Sequence, residues 1–228
     1  MAERETTHEL PDVSGRTIGI LGGTGDQGRG LARRLAMAGQ TVLIGSRSLE
    51  RAASAAASLE EWLHVRGLDN AAVARESDVV IAAVPWDGHR DLLTSLAGEL
   101  AGKIVVDCVN PLGFDKRGAY ALQVTEGSAA EQAAAVLPDS RVVAAFHHVS
   151  SVLLLDPEVE RVDIDVLVLG DDREATGEVQ ALADLVPGMR GIYAGRLRNA
   201  GQIEALTANL ISVNRRYKAH AGVRITDV

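Results

Sequence analysis

The segment Gly22-Gly23-Thr24-Gly25-Asp26-Gln27-Gly28 constrains this chain most, because it sets four glycines between an apolar run and an amphipathic one. Thr17-Ile18-Gly19-Ile20-Leu21-Gly22 leads into it, and Leu31, Leu35 and Met37 follow at roughly helical spacing, which predicts strand, turn and helix. Read from Gly23 the pattern is G-x-G-x-x-G. That pattern needs Gly23 for a tight turn, Gly25 so that backbone approaches a pyrophosphate, and Gly28 so that helix and strand pack closely. Free N–H groups at the helix start attract the phosphates. A purely structural glycine turn is the alternative, and the strand before and helix after favour the nucleotide. A P-loop is excluded, since Arg29 and Gly30 stand where it needs a lysine and a Ser or Thr.

The rest of the chain repeats the alternation. Gly39 closes the first helix, Thr41 to Ile44 is a second strand, and an alanine-rich helix is expected from Ser48 to about Leu63. Strand Asp78 to Val84, helix Gly88 to Leu100 and strand Lys103 to Asp107 follow; no element is read between 64 and 77. Continuous apolar strands such as Val79-Val80-Ile81-Ala82-Ala83-Val84 suit parallel strands covered on both faces. The fold class is therefore α/β, a Rossmann-type doubly wound, mostly parallel sheet. After Asn110-Pro111 the pattern loosens, with helix Ser128 to Val136, strands Arg141 to Ala145, Ile164 to Leu169 and Gly191 to Ala194, and helices Glu174 to Leu185 and Asn199 to Arg216. This divides the chain into a loose polar arm (1–15), a dinucleotide-binding domain (16–145) and a small C-terminal α+β lobe (146–228).

Charge narrows the ligand. Lys plus Arg is 23 against 31 for Asp plus Glu, a net charge of −8, which disfavours nucleic acid. A single cysteine, Cys108, excludes an internal disulfide and a Cys-ligated zinc site. No apolar run reaches the roughly 18 residues of a membrane span, and the first ten residues lack an apolar signal stretch, so a cytosolic chain without membrane contact is expected.

The end of the second strand discriminates between dinucleotides. An NAD site carries Asp or Glu about 20 residues past the glycines to hold the ribose hydroxyls. Here the position is Gly45, followed by Ser46 and Arg47, with Arg51 one turn on. A hydroxyl and two guanidiniums suit a 2′-phosphate, and a helix start disfavours cations that have no anion to offset them, so NADP is expected.

Ligands of such sheets lie beyond the carboxyl ends of the strands, which brings in Val84-Pro85-Trp86-Asp87 and Cys108-Val109-Asn110-Pro111-Leu112. Trp86 either borders a planar ring or packs under the next helix, and Asn110 either bonds a ribose or carboxamide or makes an ordinary turn. Cys108 reads as core. His147-His148 carries no metal-ligand spacing; one imidazole with Ser150 and Ser151 either lines the cleft or caps a strand end. His89 and His220 read as surface residues. Tyr120, Tyr193 and Tyr217 are followed four positions later by Val124, Leu197 and Ala221, so no Tyr-x-x-x-Lys proton relay is present. A nicotinamide site without an evident acid suits direct hydride transfer between two rings.

Ile20 to Gly28, Gly45-Ser46-Arg47, Val84-Pro85-Trp86, Val143 to His147, Ala194-Gly195, Asn199 and Glu204-Ala205-Leu206-Thr207 together resemble the NADPH-dependent coenzyme F420 reductases, also called F420H2:NADP oxidoreductases. The resemblance runs from residue 16 to about 214. It implies a homodimer whose small C-terminal domain holds the deazaflavin of F420 against the nicotinamide of NADP(H), with reversible hydride transfer and no catalytic side chain. By position, it implies that Thr24, Gly25, Asp26 and Gln27 hold the pyrophosphate and that Ser46, Arg47 and Arg51 hold the 2′-phosphate. Val84, Trp86, Asn110, Leu112 and Ser151 would hold the rest of NADP. His147 and the backbone of Val149, Ser150 and Ser151 would border the deazaflavin. The chain departs from the archaeal pattern at His148-Val149-Ser150-Ser151 and at Gly201, where an arginine is common.

Two other readings compete. Gly22, Gly25 and Gly28 also read as G-x-x-G-x-x-G, the spacing of NADP-sensing regulatory proteins of atypical short-chain dehydrogenase type, which do not turn over. An enzyme needs an open planar slot over the nicotinamide, built from His147 to Ser151 and the last helix, whereas a sensor can fill it. A reductase of ferric iron or of an imine is the third reading, and an imine reductase needs a larger helical domain.

Overall fold

The computed structural model describes residues 9–59 and 64–228. The first half alternates: β1 (Thr17–Leu21), α1 (Asp26–Met37), β2 (Thr41–Ser46), α2 (Leu49–Ala57), β3 (Val65–Asp69), α3 (Asn70–Glu76) and β4 (Val79–Ala82). It continues through α4 (His89–Ser95), α5 (Ala97–Leu100) and β5 (Ile104–Asp107) into a hairpin of β6 (Leu112–Asp115) and β7 (Gly118–Ala121). Then come α6 (Ala129–Val136), β8 (Arg141–Ala144), α7 (Ser151–Leu155), β9 (Ile164–Gly170), α8 (Arg173–Asp184), β10 (Met189–Gly195) and α9 (Ala200–Tyr217).

Eight strands form one sheet in the order β10-β9-β8-β5-β4-β1-β2-β3, parallel except where β8 meets β9. The doubly wound class is as expected. Order reverses between β1 and β4, the switch point at which such sheets bind ligands. The segment after the boundary placed near 146 extends this sheet, β9 pairing with β8 through Val143↔Gly170 and Ala144↔Leu169.

Strand residues sort by parity onto two cores. Ile18, Ile20, Val42, Ile44, Ile81 and Val106 face α1, α7 and α8, while Leu21, Leu43, Val80, Val105 and Leu169 face α3 to α6 and α9. Burial on both faces explains why these strands are continuous apolar runs.

Several details differ from expectation. β3 and α3 occupy the stretch in which no element is read; β3 is half-exposed, and a Cβ on its Gly67 would lie 2.3 Å from the backbone of Ala52, so α2 packs on bare backbone. The helix expected over 88–100 breaks at Leu96, and of the one expected over 48–63, residues 60–63 lie outside the described residues. Residues 1–8 of the arm also lie outside them, and Val13, predicted to be loose, is buried in the core with Leu10 packed against it.

Beyond α9 the chain turns at Lys218 and runs back across the sheet edge. Asp165 of β9, fully buried, accepts from Arg190 Nε and Nη2 at 2.8 Å each, from Arg224 Nη1 at 2.6 Å and from the Ile225 N–H at 2.6 Å. These bonds strap the tail down.

Candidate functional site

The glycine turn is shaped by packing at three positions and by something else at the fourth. Gly22 has φ +70°, and a Cβ there would lie 2.6 Å from the Ala83 carbonyl. Cβ atoms would lie 2.9 Å from Ile44 at Gly23 and 2.7 Å from Gly23 Cα at Gly28. At Gly25, which caps α1 with ordinary extended backbone, the nearest atom is the Gly22 carbonyl at 3.6 Å. The protein itself leaves room for a side chain at Gly25, and the bare backbone there is open to the outside. Thr24 is half-buried and Asp26 exposed, its charge paired with Arg29 at 2.8 Å.

At the end of β2, the Gly23 N–H donates to the Gly45 carbonyl at 3.1 Å, which ties the two turns together. A Cβ on Gly45 would lie 2.7 Å from Asn70 Oδ1 and 3.1 Å from the Ile20 carbonyl, so a side chain of the NAD kind would have to displace the Asn70 amide. Ser46 is buried, its Oγ accepting from the Ser48 N–H at 3.2 Å. Arg47 and Arg51 are exposed and enter no ion pair among the described residues.

Beside the switch point lies a cleft of about 390 Å³, within the ordinary range for small-molecule sites. Gln27, Val84, Trp86, Asn110 and the His147–Ser151 segment, with Val149 and Ser150, line it, as the sequence places them. Leu112 opens the β6–β7 hairpin and is not among the lining residues. The opposite wall is one face of the last helix, α9, which the sequence places at the slot without picking out its residues: Thr207, Leu210, Ile211 and Asn214, with Ala221 of the tail beyond. Their i, i+3, i+4, i+7 spacing is visible in the sequence, but only topology shows what it faces.

The turn after β8 is strained and tightly held. Phe146 is buried with φ +63°, a conformation that costs a non-glycine residue about 1–3 kcal/mol. Its carbonyl accepts from Gln27 Nε2 at 3.3 Å. The His147 carbonyl accepts from Asn110 Nδ2 at 2.8 Å and Thr207 Oγ1 at 3.2 Å, so α1, the β5 turn and α9 all grip this point. Asn110 Oδ1 and both ring nitrogens of His147 are buried in the cleft wall, where the His147 ring lies beside the Val109 backbone. Burial lowers the His147 pKa to about 4, so its ring is neutral at pH 7. His148 is held likewise near 4, first by burial and then by His147, and its Nε2 accepts from the Leu167 N–H at 3.4 Å.

The far wall rests on α1. A Cβ on Gly30 would lie 2.6 Å from Leu154 Cβ, so α7 packs directly on helix backbone. Buried Arg34 donates to the carbonyls of Leu154 (2.9 Å), Leu153 (2.6 Å) and Asp156 (3.2 Å), closing the last turn of α7. Ser150 and Ser151 at the other end of α7 are thereby fixed at the cleft.

Two other residues need comment. Cys108 is buried, its thiol donating to the Ala82 carbonyl at 3.2 Å, and burial and then Asp107 raise its pKa well above that of a free thiol, as befits core. His89, predicted to lie on the surface, is fully buried. The polar partners that make this burial tolerable, Asp107 and Gln132, come from distant parts of the sequence.

A glycine turn at the switch point of a doubly wound sheet, a carboxylate-free β2 end and an open cleft define a dinucleotide-binding protein of the Rossmann class. Residues 17–111 match the family model for coenzyme F420-dependent NADP oxidoreductases. The chain is 41% identical over 221 residues to the F420-dependent NADP reductase of Methanothermobacter marburgensis, spanning 92% of this chain and 98% of that one. It is 42% identical to the reductase of the same name from Methanocaldococcus jannaschii, with the same coverage. A crystal structure assigned to an F420-dependent NADP-reductase of Arthrobacter sp. FB24 superposes with a TM-score of 0.81 at 30% identity, covering 93% of this chain and all of that one. The chain belongs to the F420-dependent NADP reductase family.

Proposed function

We propose that this chain catalyses reversible, direct hydride transfer between NADP(H) and the deazaflavin coenzyme F420. The reading is carried by a cleft between Trp86 and α9 that is lined by Gln27 at the end of the glycine turn, by Asn110 and by the His147–Ser151 segment. When bound, NADP supplies or accepts the hydride at its nicotinamide ring. The turn Thr24 to Gln27 holds the pyrophosphate, Ser46, Arg47 and Arg51 the 2′-phosphate, and Val84, Trp86, Asn110 and Ser151 line the nicotinamide half. Leu112 is assigned a role here by position in the family alone.

Residues 16–145 supply these contacts apart from that of Ser151, and 146–228 close the slot: neutral His147 and the backbone of Val149 to Ser151 border the deazaflavin. No side chain donates or removes a proton in this scheme; orientation of the two rings supplies the rate. The homodimer implied by the family is part of the reading, and the exposed side chains Phe114 and Tyr217 support it. No helix among the described residues is long and apolar enough to cross a membrane, which fits action in the cytoplasm.

The test mixes purified protein, NADPH and oxidised F420. Loss of the visible absorbance of F420, slower with NADH, is expected. Tight NADPH binding without that loss would turn the assignment to the sensor, although the open slot argues for the enzyme.

A further inference from the structure

Trp86 and Asn110 stand on separate turns, after β4 and β5, and what holds the two together is not itself in the cleft. His89, the first residue of α4, is fully buried behind them. Its N–H donates to the Trp86 carbonyl at 3.1 Å, and its ring stacks on the indole with centroids 5.6 Å apart and planes at 30°. Nε2 lies 2.6 Å from Asp107 Oδ2, and Asp107 Oδ1 accepts from the Val109 N–H at 3.0 Å, closing the turn that carries Asn110. One imidazole thus joins both walls.

The ring's other nitrogen decides its charge. Nδ1 lies 3.0 Å from Gln132 Oε1, and the orientation of that amide is set from its far end, because Gln132 Nε2 donates to Glu126 Oε2 at 3.2 Å. Turning the amide over would set its oxygen against a carboxylate. Both nitrogens of His89 therefore face acceptors, and a neutral imidazole has only one N–H to offer. Building on the function proposed above, we infer that His89 is a positioning residue, held as an imidazolium between Asp107 and Gln132, which sets the spacing of Trp86 and the Asn110 turn. A cation this close to an indole also attracts its face.

The charges around it are consistent. Asp107 faces it from β5, Glu126 through Gln132 from the start of α6, with its own partner Arg90 on α4, and Glu204 from α9. Burial opposes a charged ring here, but the bonds to Asp107 and Gln132 outweigh it, so the affinity of His89 for a proton is raised above that of free imidazole.

The first test needs no turnover and so is independent of the F420 assignment. Ring 15N shifts of the whole protein are recorded at about pH 7.5, above the ordinary imidazole range. His89 is identified by its absence in His89→Gln. Two protonated nitrogens are expected; a neutral single tautomer, or a proton resting on Asp107, overturns the inference. The second test is kinetic. His89→Gln is expected to lower kcat about tenfold while the KM for NADPH stays within about threefold, the pattern of misplaced rather than missing contacts. An unchanged kcat removes the positioning role. Gln132→Leu deletes one acceptor, so its kcat should fall with rising pH as His89 loses its proton, where the unaltered protein is flat. A flat profile in Gln132→Leu counts against the role. Failure of the unaltered protein to reduce F420 sinks the proposed function and leaves the ring nitrogens to be read separately.

Discussion

Gly30 of α1 and Leu154 of α7 are in direct contact, close enough that a Cβ on the glycine would fall 2.6 Å from the leucine's own Cβ. The third glycine of the fingerprint lets α1 meet the turn, and this one, two residues on, lets α1 meet α7. Gly30→Ala should push α7 outward and cost about 1–3 kcal/mol by overpacking. Urea unfolding would measure that loss, and a weaker grip on NADPH should accompany it because Ser151 moves with α7.

Arg34 acts on the same helix through three carbonyls. Arg34→Met keeps the length of the side chain and removes every donor, leaving the last turn of α7 unsatisfied. A loss of about 2–4 kcal/mol in unfolding free energy is expected, more than an exposed arginine would cost. A change under about 0.5 kcal/mol would mean that water replaces the guanidinium.

Arg47 separates the two nicotinamide cofactors. Arg47→Ala should raise the NADPH dissociation constant about tenfold or more, the loss expected of one charged hydrogen bond, and leave NADH nearly unchanged. Fluorescence titration with both cofactors checks it. Equal weakening would place the 2′-phosphate elsewhere.

Glu204 ties stability to pH. Buried in α9, it accepts from the N–H groups of Ala129 (2.9 Å) and Ala130 (3.2 Å), and burial raises its pKa from 4.5 to about 7. The folded state therefore binds the proton more tightly than the unfolded state. The stability this confers is complete below pH 4.5 and is lost as pH rises through about 7. Glu204→Gln should flatten that part of the curve of unfolding free energy against pH. A slope that persists in Glu204→Gln would assign the effect to other groups, among them His89.

The glycine turn, the first two strands and the NADP-type β2 end could be read from the sequence because each is written in neighbouring residues. β3 could not, since Val65-Arg66-Gly67-Leu68-Asp69 has neither an apolar run nor clean alternation and pairs only with β2 at the sheet edge. Ser151-Val152-Leu153-Leu154-Leu155 is too short to show a period. Within the site, the His147–Ser151 segment and the last helix could be placed at the slot, but which face of α9 lines it and the burial of His89 rest on contacts across the fold. The crowding of Gly45 by the Asn70 side chain was equally invisible along the chain.

The strapped tail has a consequence for how the cleft comes into being. Ala221 completes the pocket and is held there by bonds from Arg224 and Ile225 to Asp165. A ribosome therefore delivers the glycine turn early and the far wall late. Nascent chains that have already formed β1 and α1 must wait for α9 before the pocket has both its sides, and for the segment after it before Ala221 is in place. Premature termination before α9 would leave a protein with every strand of its sheet and a cleft without its opposite wall.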